Sequence, residues 1–254
     1  MRNIIILFVG LFIVQTNSFG WGHQGHCIVA DIAQSQMNKN VIDSVKKYLG
    51  TMTFEQASNW MDDVRSDHSF DFMKPWHYIN IEKGQTYNPN VEDKNCITEV
   101  LRVIKELNNR SLLSYEQIST DIKILFHLIG DIHHPLHVGY GIDKGGNLTE
   151  VEFINKKSNL HKVWDTEIIQ YQSISTNTCI NAYSKLTNAE IEEIKKIDVI
   201  GWMNESRAYL DNVYDIKDGI IDKNYIDKNT VVIEKQLFDA GLRLAAVLNE
   251  IFSK

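Results

Sequence analysis

Apolar residues recur at helical spacing along most of this chain. Between Cys27 and Leu49, the residues Ile28, Val29, Ile32, Ala33, Met37, Val41, Ile42, Val45 and Leu49 fall on one face, which predicts one long amphipathic helix. Asn95 to Leu107 repeats the pattern through Ile97, Val100, Leu101 and Ile104, with Asn95 placed as its N-cap. A third helix is expected from Tyr115 to His134, stopped by Pro135, which cannot continue a helix. Shorter helices are expected over 188–197 and 200–214, and a long closing one over 231–252. Period-two alternation is confined to Leu148-Thr-Glu-Val-Glu-Phe, after Gly145-Gly146-Asn147, and predicts a short β-hairpin. The predicted class is all-α: a single globular helical domain with ligand-bearing loops between its helices.

The first twenty residues follow another rule. Arg2 precedes an apolar run from Ile4 to Val14, the length of a signal-peptide core and too short to span a bilayer. Ser18 and Gly20 are small residues three and one positions before Trp21, as a leader peptidase requires. Residues 1–20 are therefore expected to be a signal peptide. Residues 21–254 should then be a secreted or periplasmic domain, monomeric and free of the membrane. With 3 Pro and 14 Gly and no linker tract, nothing divides that domain further.

Charge and cysteine content refine the picture. A formal charge of −7 argues against a simple nucleic-acid-binding module, which presents a basic face. It does not argue against a metal-dependent enzyme, because bound dications supply the local positive charge. Of the 3 cysteines, Cys96 and Cys179 are the preferred disulfide pair in an oxidising compartment, which leaves Cys27 beside the candidate metal site.

Four clusters carry potential ligands. FHLIGDIHHPLHVG holds His127 and Asp131, four apart and so on one helical face, then His137 beyond the proline. NLHKVWD holds His161 and Asp165, again four apart. NWMDDVR and WHYIN supply Asp62 and His77, and WGHQGH supplies Trp21 and His26. A single His–Asp pair is commonly just a surface hydrogen bond. Two such pairs with two loop histidines form a nitrogen- and oxygen-rich ligand set, the kind a catalytic zinc uses while keeping a position open for water.

Together these segments, with GGN and a weaker echo at GWMNES, resemble the successive motifs of the single-strand-specific S1/P1 nucleases of fungi, plants and bacteria, in that family's order. The resemblance implies a helical fold holding three zinc ions and an endonuclease that hydrolyses single-stranded DNA and RNA to 5′-phosphorylated products. Activity on 3′-nucleotides is implied as well. It assigns Asp62, His77, His127 and Asp131 to one zinc. Asp131 would bridge to a second, shared with His26 and with the amino nitrogen and carbonyl oxygen of Trp21. His137, His161 and Asp165 would hold the third. Leader cleavage would thus create a ligand, since an amide is a poor substitute for the free amine of Trp21.

The same resemblance places Arg65 on the phosphate in the transition state and Tyr78 as a stacking platform for an unpaired base. Asn80 stands where relatives often carry an aspartate that bonds the base, and an amide can donate as well as accept. Asn147 either shapes the site loop or simply makes a turn. His23 and His68 are read as solvent-facing. His133 and His134 are not assigned as ligands, although one of them can hydrogen-bond a ligand carboxylate. Trp60, Trp76 and Trp164 are read as packing around the ligands. A zinc-dependent phospholipase C and a zinc-sequestering protein are the rival readings.

Overall fold

The computed structural model describes residues 21–90 and 92–253, so the expected signal peptide lies outside the described residues. Helix α1 spans His23–Gln36 and α2 Lys39–Leu49. The long helix expected over 27–49 is therefore two. Met37 and Asn38 both turn extended (ψ 144° and 146°). The side chain of Asn249 bridges the break, accepting from the Asn38 N–H at 2.9 Å and donating to the Gln36 carbonyl at 3.2 Å. The apolar stripe continues across the break because both pieces face the same core, and so periodicity alone conceals it.

Helix α3, Phe54–Asp63, opens with a capping box between Thr53 and Gln56, a signal that sequence reasoning passed over. After a 3-10 turn at Val64–Ser66, a longer 3-10 segment, His68–His77, leads to α4, Cys96–Asn108. Asn95 caps α4 as expected, accepting from the Ile97 and Thr98 N–H groups. Helix α5, Tyr115–Ile132, is capped by Ser114 and Gln117 and ends three residues before Pro135. It packs against α1, α3, α4 and α12 and is the central helix of the core.

The expected hairpin is present as β1, Glu150–Phe153, antiparallel to β2, Lys156–Asn159. Its turn residues Ile154 and Asn155 are left-handed (φ 50° and 60°), a conformation costly for a β-branched side chain. Helix α6, Leu160–Lys162, runs through a π-helical turn, Val163–Glu167, into α7, Ile168–Tyr171. Then come α8, Thr176–Ala182, and α9, Asn188–Ile194. The helix expected over 200–214 is again two, α10 at Val199–Arg207 and α11 at Leu210–Val213. A two-residue strand β3, Ile220–Ile221, adds in parallel to β1 and was not anticipated. Finally α12, Lys223–Phe252, starts eight residues earlier than its apolar pattern, under an Asp222 cap that accepts from the Tyr225 N–H at 2.7 Å.

The molecule is thus mainly helical with one small sheet. The expected disulfide does not form: Cys27, Cys96 and Cys179 are all free thiols. Cys96 opens α4, which packs on α5 and α10, whereas Cys179 lies on α8, which packs on α1 and α12. Among the described residues no helix is long and apolar enough to cross a membrane.

Candidate metal centre

Four elements bring the polar clusters to one buried locus. His26 comes from α1, Asp62 from the end of α3, His77 from the end of the 3-10 segment, and His127 and Asp131 from α5. Gly130 makes this convergence possible, since a Cβ there would lie 2.9 Å from His26 Nδ1. Asp131 is fully buried and faces two ways. Its Oδ2 lies 3.2 Å from His77 Nδ1 and 3.4 Å from His127 Nε2. Its Oδ1 lies 3.5 Å from His26 Nε2 and 3.7 Å from His137 Nδ1.

The histidines are oriented by backbone carbonyls. His127 Nδ1 donates to Ser58 O at 2.7 Å, His137 Nδ1 to His77 O at 2.6 Å and His161 Nδ1 to Gly145 O at 2.6 Å. In each ring the proton is thereby held on Nδ1 and the lone pair lies on Nε2, which is how proteins prepare imidazole for a metal. Burial pushes the imidazoles of His137 and His161 down and lowers His127 to about 4, so all three are neutral at physiological pH. Burial alone would raise the Asp131 carboxyl, but the surrounding imidazoles outweigh it and hold the group well below its ordinary value.

The outcome is a buried carboxylate ringed by imidazoles. Both oxygens of Asp131, both nitrogens of His26 and the Nε2 of His161 make no hydrogen bond. Buried polar atoms without partners are costly, and cations held between these groups would give the carboxylate oxygens and the imidazole lone pairs their partners. Three groups among the described residues bring ligand atoms within 4.8 Å of one another: His26, Asp62 and His127; His77, His127 and Asp131; and His134, His137 and Asp165. The donor set is imidazole and carboxylate, which suits zinc.

The third group includes His134, which sequence reasoning did not assign as a ligand. Its Nε2 lies 2.9 Å from Asp165 Oδ1, while His161 Nε2 lies 3.4 Å from Asp165 Oδ2. His134 Nδ1 accepts from the Leu136 N–H at 3.2 Å, so the neutral ring carries its proton on Nε2, which makes no hydrogen bond of its own. His134 is thus placed both to face Asp165 and to offer a ligand atom to an ion held there. Asp165 and His161 stand on the π-helical turn and the short helix before it, an irregularity common at functional sites. Gly145, at φ 61°, closes this side: a Cβ there would sit 2.3 Å from Leu136 O. Trp21 is fully buried against the group, its ring edge-on to His134 at 4.5 Å, and the Gly22 N–H donates to Asp165 O.

The remaining residues fall around this centre. Arg65 donates to Asp62 Oδ1 at 3.2 Å. Tyr78 and Asn80 are exposed beside His77. Asn147 donates to Lys144 O within its own loop and so forms a turn. His133 points away: its Nδ1 donates to Ile129 O, and its Nε2 accepts from Arg243 at 2.8 Å. That network explains the GWMNES segment. Trp202 packs on His133 and Arg243, Glu205 pairs with Arg243, and Ser206 accepts from Gln236, which also donates to His133 O.

A further residue was missed altogether. The Tyr78–Asn80 strip is laddered to the His137 loop, with the Ile79 N–H donating to His137 O at 2.8 Å and the Ile81 N–H to Gly139 O at 3.0 Å. Arg207 clamps both, donating to Val138 O on one side and to Ile81 O on the other. No sequence signal marks a lone arginine at the end of a helix for this task.

A mainly helical domain with buried His–Asp clusters around a two-faced aspartate defines a metal-dependent hydrolase. The S1/P1 Nuclease family profile matches residues 21–253, and the chain belongs to that family of zinc-dependent phosphodiesterases. It is similar to Endonuclease 2 of Arabidopsis thaliana, at 28% identity over 98% of this chain and 96% of the relative. It is also similar to Nuclease S1 of Aspergillus oryzae, at 26% identity over 93% of each chain. Nuclease P1 of Penicillium citrinum is 26% identical over 91% of this chain and 97% of its own.

Proposed function

We propose that this protein is a secreted, monomeric endonuclease that cleaves single-stranded DNA and RNA to 5′-phosphorylated products, acts also on 3′-nucleotides, and carries three zinc ions. The observation that carries this reading is Asp131, whose two oxygens face separate sets of histidines. Asp62, His77, His127 and Asp131 would hold one ion. Asp131, His26 and the amine and carbonyl of Trp21, freed by leader cleavage, would hold another. His137, His161 and Asp165 would hold the third, with His134 steadying Asp165. Zinc bound here supplies water acidified toward neutrality and positive charge for phosphate oxygens.

The protein's own residues do the rest. Arg65, held at the site by Asp62, reaches the phosphate and stabilises its developing charge. Tyr78 offers a ring face that a base can occupy once it has left its stack, which favours unpaired strands. Asn80 hydrogen-bonds that base, and Arg207 keeps both residues in register with the His137 loop.

The test is cleavage of single-stranded DNA by protein shown to begin at Trp21, with and without a chelator, alongside metal analysis of Asp131→Ala. We expect chelator-sensitive release of 5′-phosphorylated products, and a variant that is inactive and lacks more than one metal per chain. Loss of a single metal would overturn the bridging role. A metal-loaded protein that leaves nucleic acid intact would point instead to a phospholipase or a zinc-sequestering protein.

A further inference from the structure

A groove lies beside Tyr78. It encloses about 590 Å³, and Tyr78 and Asn80 line it together with Phe72, Gln85, Tyr87 and Lys94. That volume lies within the range that takes a drug-sized ligand, more than the single base that Tyr78 serves. Its lining includes the Ile79–Ile81 strip, which follows His77 directly and is hydrogen-bonded to the His137 loop, so the groove is fixed to the segments that carry two of the candidate ligands.

Phe72 is the informative residue. It is 59% exposed, and Tyr78 in the same groove is 37% exposed. Single exposed aromatics are ordinary. Phe72, however, is braced: Trp76 meets it edge-on at 5.3 Å, and Phe70 lies tilted against it at 6.5 Å. Bracing of this kind fixes the ring while leaving part of it open to solvent. The charged residues in the lining are Lys94 and its neighbour Asp93, and the other polar groups are amides such as Gln85 and Asn88. Lys94 sits over the Trp76 ring at 5.3 Å, which anchors its stem beside Phe72. Phe72, Tyr78 and Tyr87 give the groove three aromatic rings, and Lys94, although beside the carboxylate of Asp93, gives it a cation; stacking faces with a cation nearby are what single strands use without sequence preference.

We propose that this groove is a second nucleotide subsite, in which the base next to the one on Tyr78 stacks on Phe72 and its phosphate meets Lys94. The proposal rests on the nuclease reading and extends it from one base to a strand. It predicts a substrate-length advantage that a dinucleotide cannot collect.

The test compares kcat/KM for a dinucleotide and a hexanucleotide, using the zinc-loaded protein and the Phe72→Ala, Phe72→Trp and Lys94→Gln variants. An abasic residue is also walked along the hexanucleotide. In the wild type the longer substrate should win, and Phe72→Ala should cut that ratio roughly fivefold or more while Phe72→Trp restores it. An abasic residue at one position should cost the wild type the same factor and cost Phe72→Ala nothing further. Lys94→Gln should reduce the log–log salt dependence of KM for the hexanucleotide by about 0.7. A length ratio unchanged in Phe72→Ala, or abasic losses equal in wild type and variant, would overturn the subsite. If the wild type cleaves neither substrate, the nuclease reading falls and the subsite falls with it.

Discussion

At the scale of single residues, the His–Asp clusters that the fold gathers are legible in the sequence because their chemistry constrains their spacing tightly. His127 with Asp131 and His161 with Asp165 announce themselves by their four-residue spacing, and the structure buries all four in one centre. His134 was passed over because adjacent histidines before a proline carry no spacing rule that separates a site residue from a packing one. The distinction lies in the hydrogen bonds. His133 is committed to Ile129 and Arg243 through both ring nitrogens, whereas His134 bonds the Leu136 N–H and leaves its Nε2 unbonded 2.9 Å from Asp165. A prediction follows from the Nε2 proton of His134. His134→Gln, which keeps a donor, should retain most metal affinity, while His134→Leu should weaken the metal held at Asp165 about 10- to 100-fold. Metal titration of the two variants checks this, and equal losses would show that His134 itself binds the metal.

At the scale of elements, periodicity found the helices and misjudged their ends. Helices α1 and α2 were merged because their stripes line the same core, and the break depends on Asn249, more than two hundred residues away. Sequence reading has no access to such a long-range cap. Helix α12 begins ahead of its apolar pattern because its first turns carry few apolar residues, while the Asp222 cap that begins it is a local signal in the sequence. Asn249→Ala should release both ends of the break and cost about 1 kcal/mol, the usual worth of a capping interaction. Denaturant unfolding measures it, and a change below a few tenths of that would mean the break is held by packing alone. The disulfide expectation failed for a related reason: cysteine counting knows the compartment but not which helices are neighbours.

At the scale of the whole molecule, the net charge of −7 becomes intelligible. The protein needs no basic face if its cations are bound ions. The same centre makes the metal-free protein acid-sensitive. His127 falls from 6.5 to about 4 on folding, and His134 to about 3, both through burial. Between pH 6.5 and 4 the unfolded chain takes up protons that the folded one refuses, so stability is full above pH 6.5 and is lost as pH falls through that window. Chelated protein should therefore melt at a lower temperature at pH 5 than at pH 7.5, and zinc added at pH 7.5 should raise the midpoint. Equal midpoints in the chelated protein would mean these rings are not buried neutral. One further consequence concerns the strip that Arg207 fastens to the His137 loop. On the proposed reading, the surface that would meet the substrate is bolted to the loop that would serve the chemistry. The work of bending would then fall on the incoming polymer, and the molecule would discriminate among polymers as a gauge does, by how readily each one yields to a fixed shape.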